Sequence, residues 1–293
     1  MKQIIENDWL KVEIDSQGAE IRAVEHKKNK MNYMWTGDSA YWGRVSPVLF
    51  PIVGRLKGDR YQLDGNTYEM SQHGFLRDAD FELSTHSAEH ASFETASKGR
   101  FKNIYPYEFR AFITYTLNQN SLSVDWKIEN QNNEEMYFSI GAHPAFRIPL
   151  LEDEELEDYH LKFTPAPHKE VMEYELENAL VHEKGIRTNL PDIQVQPELF
   201  AKDAMIYSHI DRIELVSAKS KHGIEIGFAD FPFVGIWSKY NEENNSMAPF
   251  VCIEPWYGVA DTHDTTGNLK EKYGINQLEA GGIFQKLYTM TFK

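Results

Sequence analysis

Three ionisable side chains of this chain are each followed at once by a glycine or a proline, and their types suit proton-transfer chemistry. They are His73 in "SQHGF", His143 in "GAHPAF" and Glu254 in "VCIEPWY". Proline cannot donate a hydrogen bond to a sheet and favours an extended residue before it, so we expect His143 and Glu254 where strands leave a sheet. An imidazole and a carboxylate that meet in a cleft can act as acid and base near neutral pH. Taken singly, each of the three is more often structural.

Other chemistries have weaker support in the sequence. Two histidines and a carboxylate could hold zinc or iron, but His73, His143 and Glu254 lie far apart in sequence and lack local metal-ligand spacing, so a metal is a minor alternative. No glycine-rich phosphate loop and no G-x-S-x-G elbow occurs. The single cysteine, Cys252, lies in the apolar segment "FVCIEP", which predicts a buried packing residue.

Arginines near these segments could contact a ligand. Arg55 follows an apolar run and a glycine in "FPIVGRLKGDR", where its guanidinium could form two hydrogen bonds to a hydroxyl or carboxylate, or else a surface ion pair. Arg77 closes "SQHGFLRD" and is either a substrate contact or a partner for Asp78 or Asp80. The sequence leaves both choices open.

The elements that must position these residues are strands. Alternation of apolar and polar residues predicts half-buried strands in "RAFITYTL" and "LSVDWKI", which flank the turn "NQNS" as a hairpin. Further strands are predicted in "WLKVEID", "AEIRAVE", "RIELVSA", "GIEIGFA" and "QKLYTMTF". The helical segments, "DAMIY" and "NLKEKYG", are short, and no linker divides the chain. We therefore predict one all-β domain, residues 1–293, whose antiparallel sheets stack into a large sandwich.

Composition limits the partners. The net charge of −15 argues against nucleic acid, and hydrophobic residues at 41% are enough for a sizeable core. No apolar run is long enough to cross a membrane, and the N-terminal segment lacks a signal-peptide core. Together with the single cysteine, these features predict a cytoplasmic protein that binds no membrane. The acidic run "LLEDEELEDYH" is predicted to be a solvated loop.

Four segments resemble, in their order along the chain, the aldose 1-epimerase (galactose mutarotase-like) family, and within it the LacX-like branch: "PIVGRLKGDRYQLDGNTYEMSQHGFLRD", "GAHPAFRIP", "LFAKDAMIY" and "FVCIEPWYG". G-x-H-P-x-F and I-E-P-W are the most specific of these motifs. The resemblance implies a β-supersandwich of two large antiparallel sheets with a ligand cleft over one curved face. It implies no cofactor and no metal.

The resemblance also implies a role for each matching residue. His143 would be the general acid that protonates the ring oxygen of a pyranose, and Glu254 the general base that takes the proton of the C1 hydroxyl. His73 would hydrogen-bond the sugar near its ring oxygen, and Arg55 and Asp203 would hold other hydroxyls. After ring opening, rotation about C1–C2 and reversal of both proton transfers would give the other anomer.

Several alternatives stay open. Trp237 is the aromatic residue that we expect to stack on the sugar. Arg55, Arg77 and Arg147 could capture a phosphate, which would make the substrate a hexose 6-phosphate. A non-catalytic carbohydrate-binding module and a glycoside hydrolase with a second essential carboxylate are the other functions that fit. The expected partner is a free or phosphorylated hexose, with no nucleic acid and no membrane, and the expected protein is a monomer or homodimer.

Overall fold

The computed structural model describes residues 1–182 and 185–293, and its largest sheet has nine strands. Neighbouring strands run antiparallel. In order across the sheet they are Ile193–Gln194, Tyr159–Pro165, Ile210–Ser217, Gly223–Gly227, Ile283–Phe292, Ser121–Asn130, Phe109–Asn118, His90–Ala96 and Glu82–His86.

The second large sheet has eight strands, also antiparallel. Seven follow the order Ile186–Arg187, Met172–Tyr174, Met205–Ser208, Phe233–Trp237, Phe250–Tyr257, Ile140–Ala142 and Val48–Leu49. The eighth, Ala145–Arg147, also pairs with Phe250–Tyr257. This sheet carries the candidate site.

Smaller elements complete the described part of the chain. A four-stranded N-terminal sheet contains Lys2–Glu6, Leu10–Asp15, Glu20–His26 and Met31–Asn32. Two-stranded ribbons pair Arg60–Leu63 with Asn66–Glu69, Met136–Phe138 with Asn276–Leu278, Leu176–Glu177 with Leu180–Val181, and Tyr240–Asn241 with Ser246–Met247. Short 3-10 helices lie at Lys57–Asp59, Leu76–Asp78, Leu156–Asp158, Pro197–Phe200 and Leu269–Glu271. None of the described helices is long and apolar enough to cross a membrane.

The predicted hairpin is confirmed, and it shows why these segments form strands. Phe109–Asn118 and Ser121–Asn130 pair over their whole length. Because side chains alternate across a strand, Leu122, Val124 and Trp126 all face the core and are completely buried. The polar residues between them lie on the other face, so the alternation read from the sequence is the burial pattern of the strand.

The two large sheets pack face to face around a shared core, which confirms the predicted all-β sandwich. One cluster of buried side chains contains Ile113 and Ile213 from the nine-stranded sheet together with Ile236 and Ile253 from the eight-stranded sheet. Burial of such apolar surface is the main force that holds two sheets together.

The strand Phe250–Tyr257 is buried on both faces, because every one of its residues is buried. Val251 and Ile253 point into the sandwich core. Cys252 packs on the opposite face, in a separate cluster of aromatic and small side chains, and its predicted burial is confirmed. Glu254 has the same parity as Cys252, so its carboxylate also points away from the sandwich core.

Two predictions about local structure were wrong. The segment "DAMIY" is not helical: Met205–Ser208 is a strand of the eight-stranded sheet. The acidic run is not wholly solvated, since Glu154 is buried and accepts hydrogen bonds from the hydroxyls of Ser217, at 2.5 Å, and Tyr159. In "NLKEKYG" the helical prediction is met only by the single 3-10 turn Leu269–Glu271.

Candidate active site

His143 and Glu254 are cross-strand neighbours. Ile140–Ala142 and Ala145–Arg147 both pair with Phe250–Tyr257, and both follow one continuous register. That register places His143, in the gap between the two short strands, opposite Glu254. Directly opposed residues have close Cβ atoms, and here Nε2 of His143 lies 3.3 Å from Oε2 of Glu254.

The expectation drawn from the two prolines holds for His143 and fails for Glu254. His143 does lie where a strand is interrupted, because Pro144 separates Ile140–Ala142 from the next strand. The expectation for Glu254 was wrong: it lies inside Phe250–Tyr257, and Pro255 continues that strand. The carboxylate therefore reaches the cleft through the side-chain alternation of a buried strand, and no strand end is needed.

Aromatic rings enclose the imidazole of His143. The indole of Trp42 stacks on it with ring centroids 4.7 Å apart and an interplanar angle of 27°. Trp237 and His73 approach it edge-on, with centroids at 5.8 Å and 5.5 Å. These contacts fix the plane of the imidazole, so Nε2 is held toward Glu254.

His73 is locked by the backbone of Gly54. The N–H of His73 donates to the carbonyl of Gly54 at 2.9 Å, and the N–H of Gly54 donates to Nδ1 of His73 at 3.1 Å. Nδ1 is thus an acceptor, and the neutral ring carries its proton on Nε2. His73 has a φ of 67°, which is rare for a residue with a side chain and is concentrated at functional sites.

Burial controls the protonation of the two facing residues. Burial raises the pKa of Glu254 well above its usual range, and the negative charge of Asp203 raises it further. Burial lowers the pKa of His143, and so does the positive charge of Arg77. Burial, with the charge of Arg77, lowers the pKa of His73 itself to about 3. Both directions favour an uncharged pair that holds one proton, with Glu254 protonated and His143 neutral.

That proton is not tied to another partner. The His143–Glu254 contact is not a hydrogen bond, and Oε2 of Glu254 and Nδ1 of His143 find no hydrogen-bond partner among the described residues. Buried polar atoms are nearly always paired in folded proteins, and exceptions are concentrated where function requires them. The pair is therefore available to a ligand.

A cleft with a volume of about 590 Å³ opens over this pair, which is within the range of small-molecule sites. Part of its wall is the indole of Trp256, which lies flat against the sheet between Gly141 and Gly235. A Cβ at Gly141 would meet this indole at 2.5 Å and one at Gly235 at 2.2 Å, so both positions require glycine. Other lining side chains include Trp42, His73, Trp237, Asp203, Arg77 and Lys239.

The structure brings most of the predicted site residues to this cleft. His73, His143, Glu254, Asp203 and Trp237 all line it, as does Arg77. Asp203 has a φ of 79°, and its carboxylate accepts the N–H of Ala204 at 2.9 Å. Burial raises the pKa of Asp203.

Two of the predicted arginines are placed elsewhere. Arg55 does not line the cleft, and its guanidinium forms two hydrogen bonds with Asp59, at 2.9 Å and 2.8 Å. Arg147 is also outside the cleft lining and donates to the carbonyl of Leu150 at 2.9 Å. The predicted phosphate cluster of Arg55, Arg77 and Arg147 is therefore wrong as a group. A sugar contact from Arg55 stays a prediction that would require Arg55 to leave Asp59.

Arg77 holds the loop that carries His73. Its guanidinium donates to the carbonyl of Gln72 at 2.8 Å, while Asp78 is taken by Arg44 at 2.8 Å. Nε of Arg77 is buried and has no hydrogen-bond partner in the described chain, although it lies 4.0 Å from Oδ2 of Asp78. The predicted partnership with Asp78 is therefore met only by this contact. Arg77 also lines the cleft, and its contact with a substrate stays a prediction.

Several lining residues had no role in the sequence prediction, above all Trp42. It lies in "TGDSAYWGRVSP", a segment without strand periodicity. Aromatic residues inside such a polar loop were the available signal, because a loop lacks a core in which to bury them. Tyr41, Gln72, Lys239 and Tyr240 also line the cleft and had no predicted role.

A metal ligand set is present but fits the site poorly. Ligand atoms of His143, Cys252 and Glu254 lie within 4.8 Å of one another. A cysteine binds metal as a thiolate, yet burial and the neighbouring Glu254 raise the pKa of Cys252 well above its usual value. The chemistry of this group favours an acid–base pair packed above a protonated thiol.

Comparison with known proteins gives consistent relatives. Residues 1–275 match the family model described as aldose 1-epimerase. The chain is 36% identical to a galactose mutarotase related enzyme from Lactobacillus acidophilus, with a TM-score of 0.95 over 100% of this chain and 97% of that one. It is 30% identical to a galactose mutarotase-like protein from Lactobacillus casei, with a TM-score of 0.90 and full coverage of both chains. Protein LacX of Lactococcus lactis is 28% identical over 98% of each chain.

Proposed function

We propose that this chain, which belongs to the aldose 1-epimerase family, interconverts the α and β anomers of an aldose by opening and reclosing its ring. The observation that carries the proposal is the contact of 3.3 Å between Nε2 of His143 and Oε2 of Glu254 at a sugar-sized cleft. The anomeric hydroxyl and the ring oxygen are bonded to one carbon. An acid and a base that serve both oxygens must therefore be close neighbours as well.

The proton count of the pair suits this reaction. Ring opening moves one proton onto the ring oxygen and removes one from the C1 hydroxyl, and ring closure reverses both steps. A pair that holds one proton between two residues supplies one acid and one base. Each positioned group contributes roughly 10² to 10⁴ in rate.

His143 is assigned to the ring oxygen and Glu254 to the C1 hydroxyl. Since burial favours the proton on Glu254, this proton must pass to His143 before the ring opens. The path is the contact of 3.3 Å between the two side chains, once they align as a hydrogen bond. The reaction then needs no group beyond the side chains of the cleft.

Neighbouring side chains would hold the sugar in place. His73 offers an Nε2–H donor to an oxygen next to His143, and Asp203 offers carboxylate oxygens to hydroxyls. The exposed faces of Trp42 and Trp237 provide flat apolar surface for the C–H face of a pyranose. Arg55 has no part in this proposal, because Asp59 occupies its guanidinium.

A phosphorylated hexose is the second substrate that the lining favours, since Arg77 and Lys239 are both cationic. If they bind a phosphate, the Arg77→Ala variant loses activity on glucose 6-phosphate while keeping most of its activity on glucose. Charge-assisted hydrogen bonds justify an expected loss of about tenfold or more in kcat/KM. Equal losses on both sugars would assign Arg77 to the loop of His73 instead.

The test is polarimetry of freshly dissolved α-glucose, α-galactose and glucose 6-phosphate with the wild type and the Glu254→Gln and His143→Asn variants. The proposal predicts that the wild type accelerates relaxation of at least one sugar and that both variants lose the acceleration. Binding without acceleration by the wild type would favour a carbohydrate-binding module. Because Asp203 is a second carboxylate in the cleft, release of nitrophenol from a nitrophenyl glycoside would favour a hydrolase.

A further inference from the structure

Two histidines and a glutamate converge at the rim of the cleft, outside the site described above. Nδ1 of His182 lies 3.2 Å from Oε2 of Glu177, and Nε2 of His263 lies 3.8 Å from the same oxygen. The three ligand atoms are within 4.8 Å of one another. None of them belongs to the acid–base pair or its surroundings.

The backbone brings these residues together from distant parts of the chain. Glu177 belongs to the hairpin of Leu176–Glu177 and Leu180–Val181. The N–H of His263 donates to the carbonyl of Val181 at 3.1 Å, which ties the hairpin to the segment that follows the strand of Glu254. The position of the cluster is thus set by main-chain hydrogen bonds and does not depend on the side chains themselves.

The donor set is one that a transition metal prefers. Two imidazole nitrogens and a carboxylate oxygen are common zinc ligands, and ligand atoms of a tetrahedral zinc ion lie roughly 3.3 Å apart. The observed separations of 3.2 Å and 3.8 Å are close to that value. The side chains of Glu177, His182 and His263 are 59%, 51% and 34% exposed, so an ion can enter and a water can complete its coordination.

Two existing contacts oppose metal binding and limit its strength. Nε2 of His263 is 3.0 Å from the carbonyl of Glu177 and must give up that hydrogen bond to the ion. The ammonium of Lys57 donates to the carbonyl of His263 at 2.7 Å and brings a positive charge near the site. We therefore expect a moderate affinity, below that of a buried four-ligand site.

We propose that Glu177, His182 and His263 form a binding site for one divalent transition metal ion, with Zn²⁺ as the ion that best fits the donors. Leu176 and Ala179 of the same hairpin line the cleft. A bound ion would therefore join two segments of the cleft wall by their side chains as well as their main chains. The site is independent of the proposed epimerase activity, and its test needs no turnover.

The test is titration of metal-free protein that carries no polyhistidine tag, with Zn²⁺ by calorimetry and with Co²⁺ by visible absorption. We expect one ion per chain. The His182→Ala and His263→Ala variants should each bind at least about tenfold more weakly, since losing a ligand costs no less than losing an outer-shell partner. The His160→Ala variant is the control, because His160 lies in the strand Tyr159–Pro165 of the nine-stranded sheet and is not part of the cluster.

Two results would overturn the proposal. One is that the wild type binds no more tightly than the His182→Ala variant. The other is that binding survives in both histidine variants but is lost in Glu254→Gln, which would place the ion at His143, Cys252 and Glu254. The substituted side chains are exposed or half-exposed, and unchanged circular dichroism and melting temperature of the metal-free variants would exclude misfolding as the cause of lost binding.

Discussion

His143 and Glu254 face each other because one register continues across the gap at Pro144. Their separation in sequence says nothing about this proximity, which arises only when the strands pair. Burial then lowers the pKa of His143 and raises the pKa of Glu254, so that the neutral form of each residue is favoured. The result is a pair that holds one proton in a site shielded from water, where proton transfer to a sugar is favoured.

The pH dependence of kcat/KM should report this pair, because kcat/KM follows the ionisation of the free enzyme. A second proton removes the base, and since the pKa of His143 is lowered, the acid limb should lie below 6.5, the usual histidine value. Loss of the only proton removes the acid, and because the pKa of Glu254 is raised, the alkaline limb should lie well above the usual carboxyl value of 4.5. Measurement of initial mutarotation rates across pH checks both limbs.

A variant of Asp203 tests the cause of the alkaline limb. The negative charge of Asp203 raises the pKa of Glu254, so the Asp203→Asn variant should move the alkaline limb to lower pH and leave the acid limb nearly unchanged. Lost sugar contacts would lower kcat/KM at every pH without moving its limbs. An acid limb centred above 6.5 in the wild type, or no shift in the variant, would contradict this account of the pair.

The sequence predicted those site residues that a local motif marks. Glycine or proline directly after His73, His143 and Glu254 pointed to all three, and all three line the cleft. Trp42 was missed, because the stack of a loop indole on an imidazole far along the chain leaves no local periodicity. Arg55 follows a glycine instead of preceding one, and an acidic partner four residues later takes its guanidinium.

At the scale of elements, the segment after the strand of Glu254 is held by a buried ion pair. Nζ of Lys272 donates to the carbonyls of Val259 and Tyr273 and lies 3.9 Å from Asp261. Asp261 in turn accepts the N–H of Lys57 at 2.9 Å. This network fixes the segment that packs against Gly54, the residue that locks His73.

Removing Lys272 should therefore cost stability. Burial lowers the pKa of Lys272 to about 8, so it is still mostly charged at pH 7. The Lys272→Met variant would leave Asp261 buried without its countercharge, and we expect the free energy of unfolding to fall by about 3–5 kcal/mol. Urea denaturation at neutral pH measures the change.

The matched control is two residues away. Lys270 forms an exposed pair with Asp64 at 2.6 Å, and Lys270→Met should change the free energy of unfolding by less than about 1 kcal/mol. Equal effects of the two substitutions would show that the buried pair does not hold the segment.

Strands that alternate were predictable, and strands buried on both faces were not. Met205–Ser208 has no polar face, since three of its four residues are buried, so a period of two could not be read from it. The strand Phe250–Tyr257 also lacks alternation, so the face on which Glu254 lies could not be predicted from the sequence. Glu154 was misread for another reason: its partner Ser217 lies on a distant strand, so nothing in the local charge run marks it as buried.

At the scale of the whole molecule, the sandwich follows from an excess of amphipathic strands. One sheet alone would leave an apolar face in water, and stacking two sheets buries it. The number and order of strands in each sheet could not be predicted, because they depend on pairings between distant segments, such as Gly223–Gly227 with Ile283–Phe292. The resemblance supplied that architecture where local patterns could not.

The cleft lining includes cations beside the carboxylates of Asp203 and Glu254, although the molecule is acidic. The chain as a whole carries −15, yet Arg77 and Lys239 line the cleft. Arg44 lies close enough to lower the pKa of both His73 and His143. An acidic protein thus presents cationic side chains at its candidate site, which is consistent with an oxygen-rich neutral or anionic sugar as ligand.

The central claim, proton transfer by His143 and Glu254, is tested most directly by exchange NMR on the anomeric protons of a sugar that the wild type binds. The account predicts exchange between α and β signals with the wild type. It predicts a rate at least about 10² lower with Glu254→Gln at matched occupancy. Glutamine has the shape of the protonated side chain that burial favours, so the fold should be retained. Equal exchange with both proteins, or none above the spontaneous rate with either, would contradict the claim.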